Sequence, residues 1–181
     1  MIHAHSAKVG GQGKLVAHFA TLRRGMSGSG DLKVENVEFP GEPSFGSFRV
    51  PTETVDGVFT PVRPLQHVQI GKRSFVWFGS SGATGRLMVD SGSGSVFETH
   101  DASTVTFVNE SLGKFIECLE AFSSVVLDGA ENRDPADEAD EDEGERMARR
   151  LEERIRMIDP RAYEEDTFWY DIRWDVSLGD W

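Results

Sequence analysis

The chain has 181 residues, 38% of them hydrophobic and including 12 Phe and 4 Trp, enough for one self-sufficient core burying about 70% of the surface the unfolded chain exposes. Its longest apolar runs fall far short of the ~20 residues of a membrane helix, its opening residues do not read as a signal peptide, and its lone cysteine, Cys118, excludes an internal disulfide; the expected location is cytoplasmic. The net charge of −12 is concentrated, since residues 128–145 hold ten acidic side chains and one Arg, leaving 21 acidic against 18 basic elsewhere, a balance that repels nucleic acid and attracts basic proteins.

In chain order, residues 1–30 are Gly- and Ser-rich and are expected to form a flexible arm, with one or two helical turns at 14–24, where Leu15, Phe19 and Leu22 recur at i, i+4 and i+7. Short extended pieces follow at 33–39, 45–50 and 55–59. Prolines at 40, 43, 51, 61 and 64 remove ladder donors there, so these pieces belong at sheet edges or in loops. Better strands are expected at 67–70, 74–78, 86–89, 95–98 and 104–108, separated by Gly-containing turns of hairpin length, which describes an antiparallel meander.

A helix is predicted over 109–127. Leu112, Phe115, Ile116, Leu119, Phe122 and Val126 line one face at the 3.6-residue period, Asn109 is the expected N-cap, and Gly129 the stop. Cys118 lies inside that helix and is expected to pack rather than react. The acidic stretch 128–145 has almost no large apolar side chain and is expected to be a solvated linker. A second amphipathic helix is predicted over 145–158, with Met147, Leu151, Ile155 and Ile158 on one face and Arg150 and Arg154 matched by Glu153 and Glu152; Asp159-Pro160 ends it. In 167–176, Phe168, Tyr170, Ile172, Trp174 and Val176 alternate as in a strand, while Phe168, Trp169, Ile172 and Val176 fit a helix, so periodicity leaves both open.

Candidate chemistry is sparse. Gly10-Gly11-Gln12-Gly13-Lys14 has the glycine amides and lysine of a phosphate-binding loop, but Lys8 stands where a glycine is required and Leu15 where Ser or Thr is required. His3 and His5 with the terminal amine form a Cu(II)- or Ni(II)-binding set that many exposed termini share; His18, His67 and His100 have no metal-ligand spacing. Glu117 and Glu120 are three apart, and Asp171 and Asp175 four apart, spacings that can put each pair on one face, but paired carboxylates do acid/base work only in a cleft that raises one pKa. No Ser-His-Asp or Cys-His order comes with a nucleophile turn. No catalytic, cofactor-binding or metal-binding residue is therefore assigned, no cofactor is expected, and the chain is read as a non-enzyme that works through its surface. Asp137, Glu138, Asp140, Glu141, Asp142 and Glu143 are the partner-binding candidates: their carboxylates can stand where phosphates lie in the groove of a basic nuclease. The alternative is that they only keep a linker solvated.

The hairpin carrying Leu87, Asp90, Gly94 and Val96, followed by a helix start with Asn109, Ser111, Leu112 and Phe115, resembles the SUKH superfamily of bacterial immunity proteins, in particular its fourth subgroup. Glu110 departs from the serine usual there. Ile158, Asp159, Pro160, Ala162, Trp169 and Gly179 match the closing pattern of that group. The resemblance covers residues 66–181 well and 32–65 loosely through FPGEPSFGSF, and not the first 30. It implies an α+β fold, a twisted antiparallel sheet with helices packed against it, in one SUKH-like domain: an arm at 1–30, the sheet and first main helix at 32–127, an acidic linker at 128–145 and C-terminal helices at 146–178. On that ground 166–178 is expected to be a helix. The implied function is to bind and neutralise a cognate toxin, a basic nuclease or nucleic-acid deaminase, with no nucleic-acid or membrane partner; a scaffold or interaction module is the alternative, and an enzyme acting on nucleotides the third reading.

Overall fold

The computed structural model describes residues 32–38, 47–127 and 143–179. The arm at 1–30 with its 14–24 turns, the Gly10–Lys14 loop, His3, His5, His18, Gly129 and most of the acidic stretch lie outside the described residues. The fold is α+β. Strands β1 (Val34–Glu38) and β2 (Ser47–Pro51) form an antiparallel pair. Strands β3 (Thr60–Ile70), β4 (Arg73–Ser81), β5 (Gly85–Asp90), β6 (Val96–Thr99) and β7 (Thr106–Asn109) form an antiparallel five-stranded sheet in sequential order.

The meander and the proline-marked edge follow the expected pattern, with one difference in extent. β3 starts at Thr60 rather than at residue 67, taking in Pro61 and Pro64. It can do so because it is an edge strand, and its pairing with β4 shifts register between Pro61 and Gln66, where the missing amide donors are tolerated. Residues 55–59 form no strand; Val55 and Phe59 make an isolated bridge that turns the chain into β3. The β5–β6 turn is closed by Asp90, whose Oδ1 accepts from the amides of Gly92 at 2.6 Å and Ser93 at 2.9 Å, and by Gly94 at φ +75°, a conformation suited to glycine.

Helix α1 (Leu112–Phe122) continues as a π-helical turn, Ser123–Leu127. The wider turn keeps Val126 buried with the predicted face Leu112, Phe115, Ile116, Leu119 and Phe122. The N-cap differs from expectation: Ser111 Oγ accepts from the Lys114 amide at 3.2 Å, whereas Asn109 ends β7 and is fully buried. Helix α2 (Glu143–Ile158) begins two residues earlier than predicted, with Glu143 and Glu145 in its first turn, where negative charge suits the free amides. Its buried face is Ala148, Leu151 and Ile155. Glu152 is matched by Arg156 at 3.0 Å and by Arg173 at 3.6 Å, a neighbour from the next helix that helical spacing could not indicate. A 3-10 turn, Pro160–Tyr163, leads to α3 (Phe168–Leu178), which settles the ambiguous closing run as a helix.

One core joins these parts. The inner face of the sheet supplies Phe78, Leu87, Val89, Val96 and Val108; β2 supplies Val50; the helices supply Leu119, Leu151, Ile155, Trp169 and Val176. Phe115 sits at the centre, its ring 5.9 Å from Phe59, 5.6 Å from Phe78 and 6.1 Å from Trp169. Gly79 is required by this packing, because a Cβ there would lie 2.1 Å from the Phe59 ring.

Candidate functional site

Of the six acidic candidates, Asp137, Glu138, Asp140, Glu141 and Asp142 lie outside the described residues, and Glu143 is the half-buried first residue of α2. The described residues carry three other arrangements that bear on function.

The first is a buried polar clip. Asn109 Oδ1 accepts from Trp169 Nε1 at 2.9 Å, while its Nδ2 donates to Asp159 Oδ2 at 3.1 Å. The same carboxylate oxygen accepts from the Glu110 amide at 2.8 Å, and Asp159 Oδ1 faces Lys114 Nζ at 3.7 Å. Asn109 and Asp159 are both fully buried. A carboxylate removed from water costs several kcal/mol unless paired, so these donors allow Asp159 to sit where the end of β7, the start of α1, the end of α2 and the first turn of α3 meet. Asn109, Asp159 and Trp169 all belong to the motif residues that carry the family resemblance, and here they touch. Cys118 Sγ is 3.5 Å from Asn109 Nδ2, and burial pushes its thiol up to about 12. It packs, and is not poised as a thiolate.

The second is a polar cluster at the far end of the sheet. Ser81 Oγ donates to Glu98 Oε1; Glu98 Oε2 lies 3.2 Å from His100 Nε2; His100 Nδ1 lies 3.2 Å from Thr84 Oγ1. Glu98 stands between Ser81 and His100, so the imidazole is not placed to take the serine proton, as nucleophilic catalysis would require. The carboxylate pairs behave as helix-face charges: the Asp171 carboxyl is raised from its ordinary value by partial burial and then by Asp175 and Asp166, but it lies on the exposed side of α3. Among the described residues no group of His, Cys, Asp and Glu could hold a metal ion, and no helix is long and apolar enough to cross a membrane.

The third is the outer face of the sheet, turned away from the helices by strand alternation. It carries a second apolar cluster of Ile70, Phe75 and Met88, with Trp77 and Phe97 packed against it and half-buried. Phe97 meets Phe75 and Phe107 edge-on, each at 5.9 Å. Three guanidinium groups stand over these rings: Arg73 4.2 Å from Phe97, Arg86 5.1 Å from Trp77, and Arg161 4.6 Å from Phe107. Arg73 is held by Asp90, with Nε 2.6 Å from Oδ2. This face was missed from sequence. Its signal is Phe75-Val76-Trp77-Phe78, apolar at every position rather than alternating, which marks a strand with apolar side chains on both faces.

Compared with known proteins, residues 44–175 match the profile of the SUKH-4 immunity protein family, well over half of the chain. No curated protein and no solved structure is significantly similar to it.

Proposed function

The chain belongs to the SUKH-4 immunity protein family, and from that premise we propose that it neutralises a cognate bacterial toxin, a nuclease or nucleic-acid deaminase, by binding it without catalysis. The family match is the observation that carries this reading, because an immunity protein protects its cell from a toxin. The nuclease or deaminase identity draws on charge: ten carboxylates within 128–145 suit a partner whose groove is built to hold phosphates. In this proposal Asp137, Glu138, Asp140, Glu141, Asp142 and Glu143 form part of the contact, residues 32–178 act as one binding unit in the cytoplasm, and residues 1–30 are an arm.

Growth rescue tests the proposal. Each toxin encoded in the polymorphic toxin loci of the source organism is expressed with and without this chain. Rescue from a toxin with nuclease or deaminase activity is the expected result. Rescue only from toxins of other chemistry would remove the nuclease and deaminase reading, and failure to rescue from any would remove the neutralising role.

A further inference from the structure

We propose that the outer face of the five-stranded sheet is the surface that docks the toxin, and that it takes a protein surface with an apolar centre and a carboxylate placed against Arg86. The inference rests on the neutralising role proposed above and adds the sheet face to the contact proposed for the acidic residues. The face combines half-buried aromatic rings with arginines, the residue types that dominate binding energy at protein interfaces. Its rings are fixed edge-on to one another, and Arg73 is locked between Asp90 and two rings, so little side-chain freedom remains to be lost on association.

Charge selects the occupant. Among the described residues of the five strands, alternation places one carboxylate on this face, Asp90, and it is consumed by Arg73. Arg161 is only loosely held by Glu110 at 3.9 Å, and Arg86 makes no ion pair with any described residue. Ile70, Phe75 and Met88 are themselves buried, so what this face presents is the half-buried rings of Trp77, Phe97 and Phe107 with their arginines, a locally positive surface on a protein of net charge −12 that favours a partner bringing carboxylates to it. Nucleic acid also stacks on aromatic sheet faces; here the overall charge of −12 opposes a phosphate chain, and one arginine without an ion pair among the described residues is too few to neutralise it. A protein partner is therefore favoured.

The test uses the full chain and the toxin from which it rescues growth, purified as an active-site variant, with affinities measured by calorimetry. Arg86→Glu should weaken binding roughly tenfold or more and Arg86→Lys distinctly less, while Met157→Ser, on α2 and 84% exposed, should stay within about twofold. Thermal melts of the variants should match the wild type, since Arg86 is exposed. Unchanged affinity in Arg86→Glu overturns the docking face and leaves the neutralising role standing, whereas absence of any neutralised toxin overturns both. Two further results would overturn the proposal: a wild-type dimer in light scattering that Arg86→Glu dissociates, which would give the face to a second copy, and Arg86-dependent binding of a fluorescent single-stranded RNA, which would give it to nucleic acid.

Discussion

Asn109 could satisfy either of two structures, and which one it serves fixes the junction between sheet and helix. As an N-cap it would accept from amides of α1; instead its oxygen accepts from Trp169 and its amide group donates to Asp159, partners 60 and 50 residues away. Ser111 caps α1 in its place. The consequence is measurable at Asp159. Asp159→Ala strips partners from the buried Asn109 amide and from the Glu110 N–H, and should lower unfolding free energy by about 2–4 kcal/mol in urea titration. A loss under 1 kcal/mol would mean that the clip contributes little. Cys118 gives a second check at this scale. With its thiol raised to about 12 by burial, native protein at mildly alkaline pH should not react with an aromatic disulfide reagent, and urea should release one thiol per chain.

The elements differ in how far neighbouring residues determine them. The buried face of α1 is legible because Leu112, Phe115, Ile116 and Leu119 repeat at helical spacing, and the β5–β6 hairpin because Asp90 and Gly94 supply local turn chemistry. Residues 167–176 are not legible by period, since Phe168 and Val176 belong to both patterns; burial of Trp169 against Phe115 favours the helix, and that contact is tertiary. The true N-cap and the Glu152–Arg173 pair stay hidden for the same reason. Hairpin chemistry also predicts a pH dependence. Burial alone would raise the Asp90 carboxyl, but the Ser93 amide, Arg73 and the Gly92 amide outweigh it and hold the group below its ordinary value of 3.8. A carboxyl depressed in the folded state stabilises fully above its unfolded pKa, and that contribution is lost as pH falls through the folded value. The melting-temperature gap between wild type and Asp90→Asn should therefore be constant above about pH 5 and shrink towards about pH 2. A gap independent of pH would contradict this.

Across the whole molecule, the motifs behind the family resemblance prove to be scaffold: Asn109, Asp159 and Trp169 clip the helices to the sheet, and Phe115 fills the centre. Such residues define the fold and leave partner choice to surfaces. The acidic stretch was conspicuous in the sequence because charge runs are visible without a structure; the aromatic outer face was not, because it is assembled from five strands. Deleting residues 135–142, which spares Glu143 at the start of α2, should leave the melting temperature unchanged within about 2 °C. It should also weaken toxin binding, with the difference fading as salt rises. Equal affinity for the deleted and intact chains at low salt would return the segment to a solvating role.

The most direct test of neutralisation by binding is titration of the purified chain into a fixed amount of the toxin it rescues against, following the toxin's nuclease or deaminase activity in vitro. Inhibition should rise linearly and saturate at equimolar chain, with full toxin activity recovered after denaturing separation and refolding. Inactivation by a small fraction of an equivalent, or toxin recovered chemically altered, would show turnover and contradict the account.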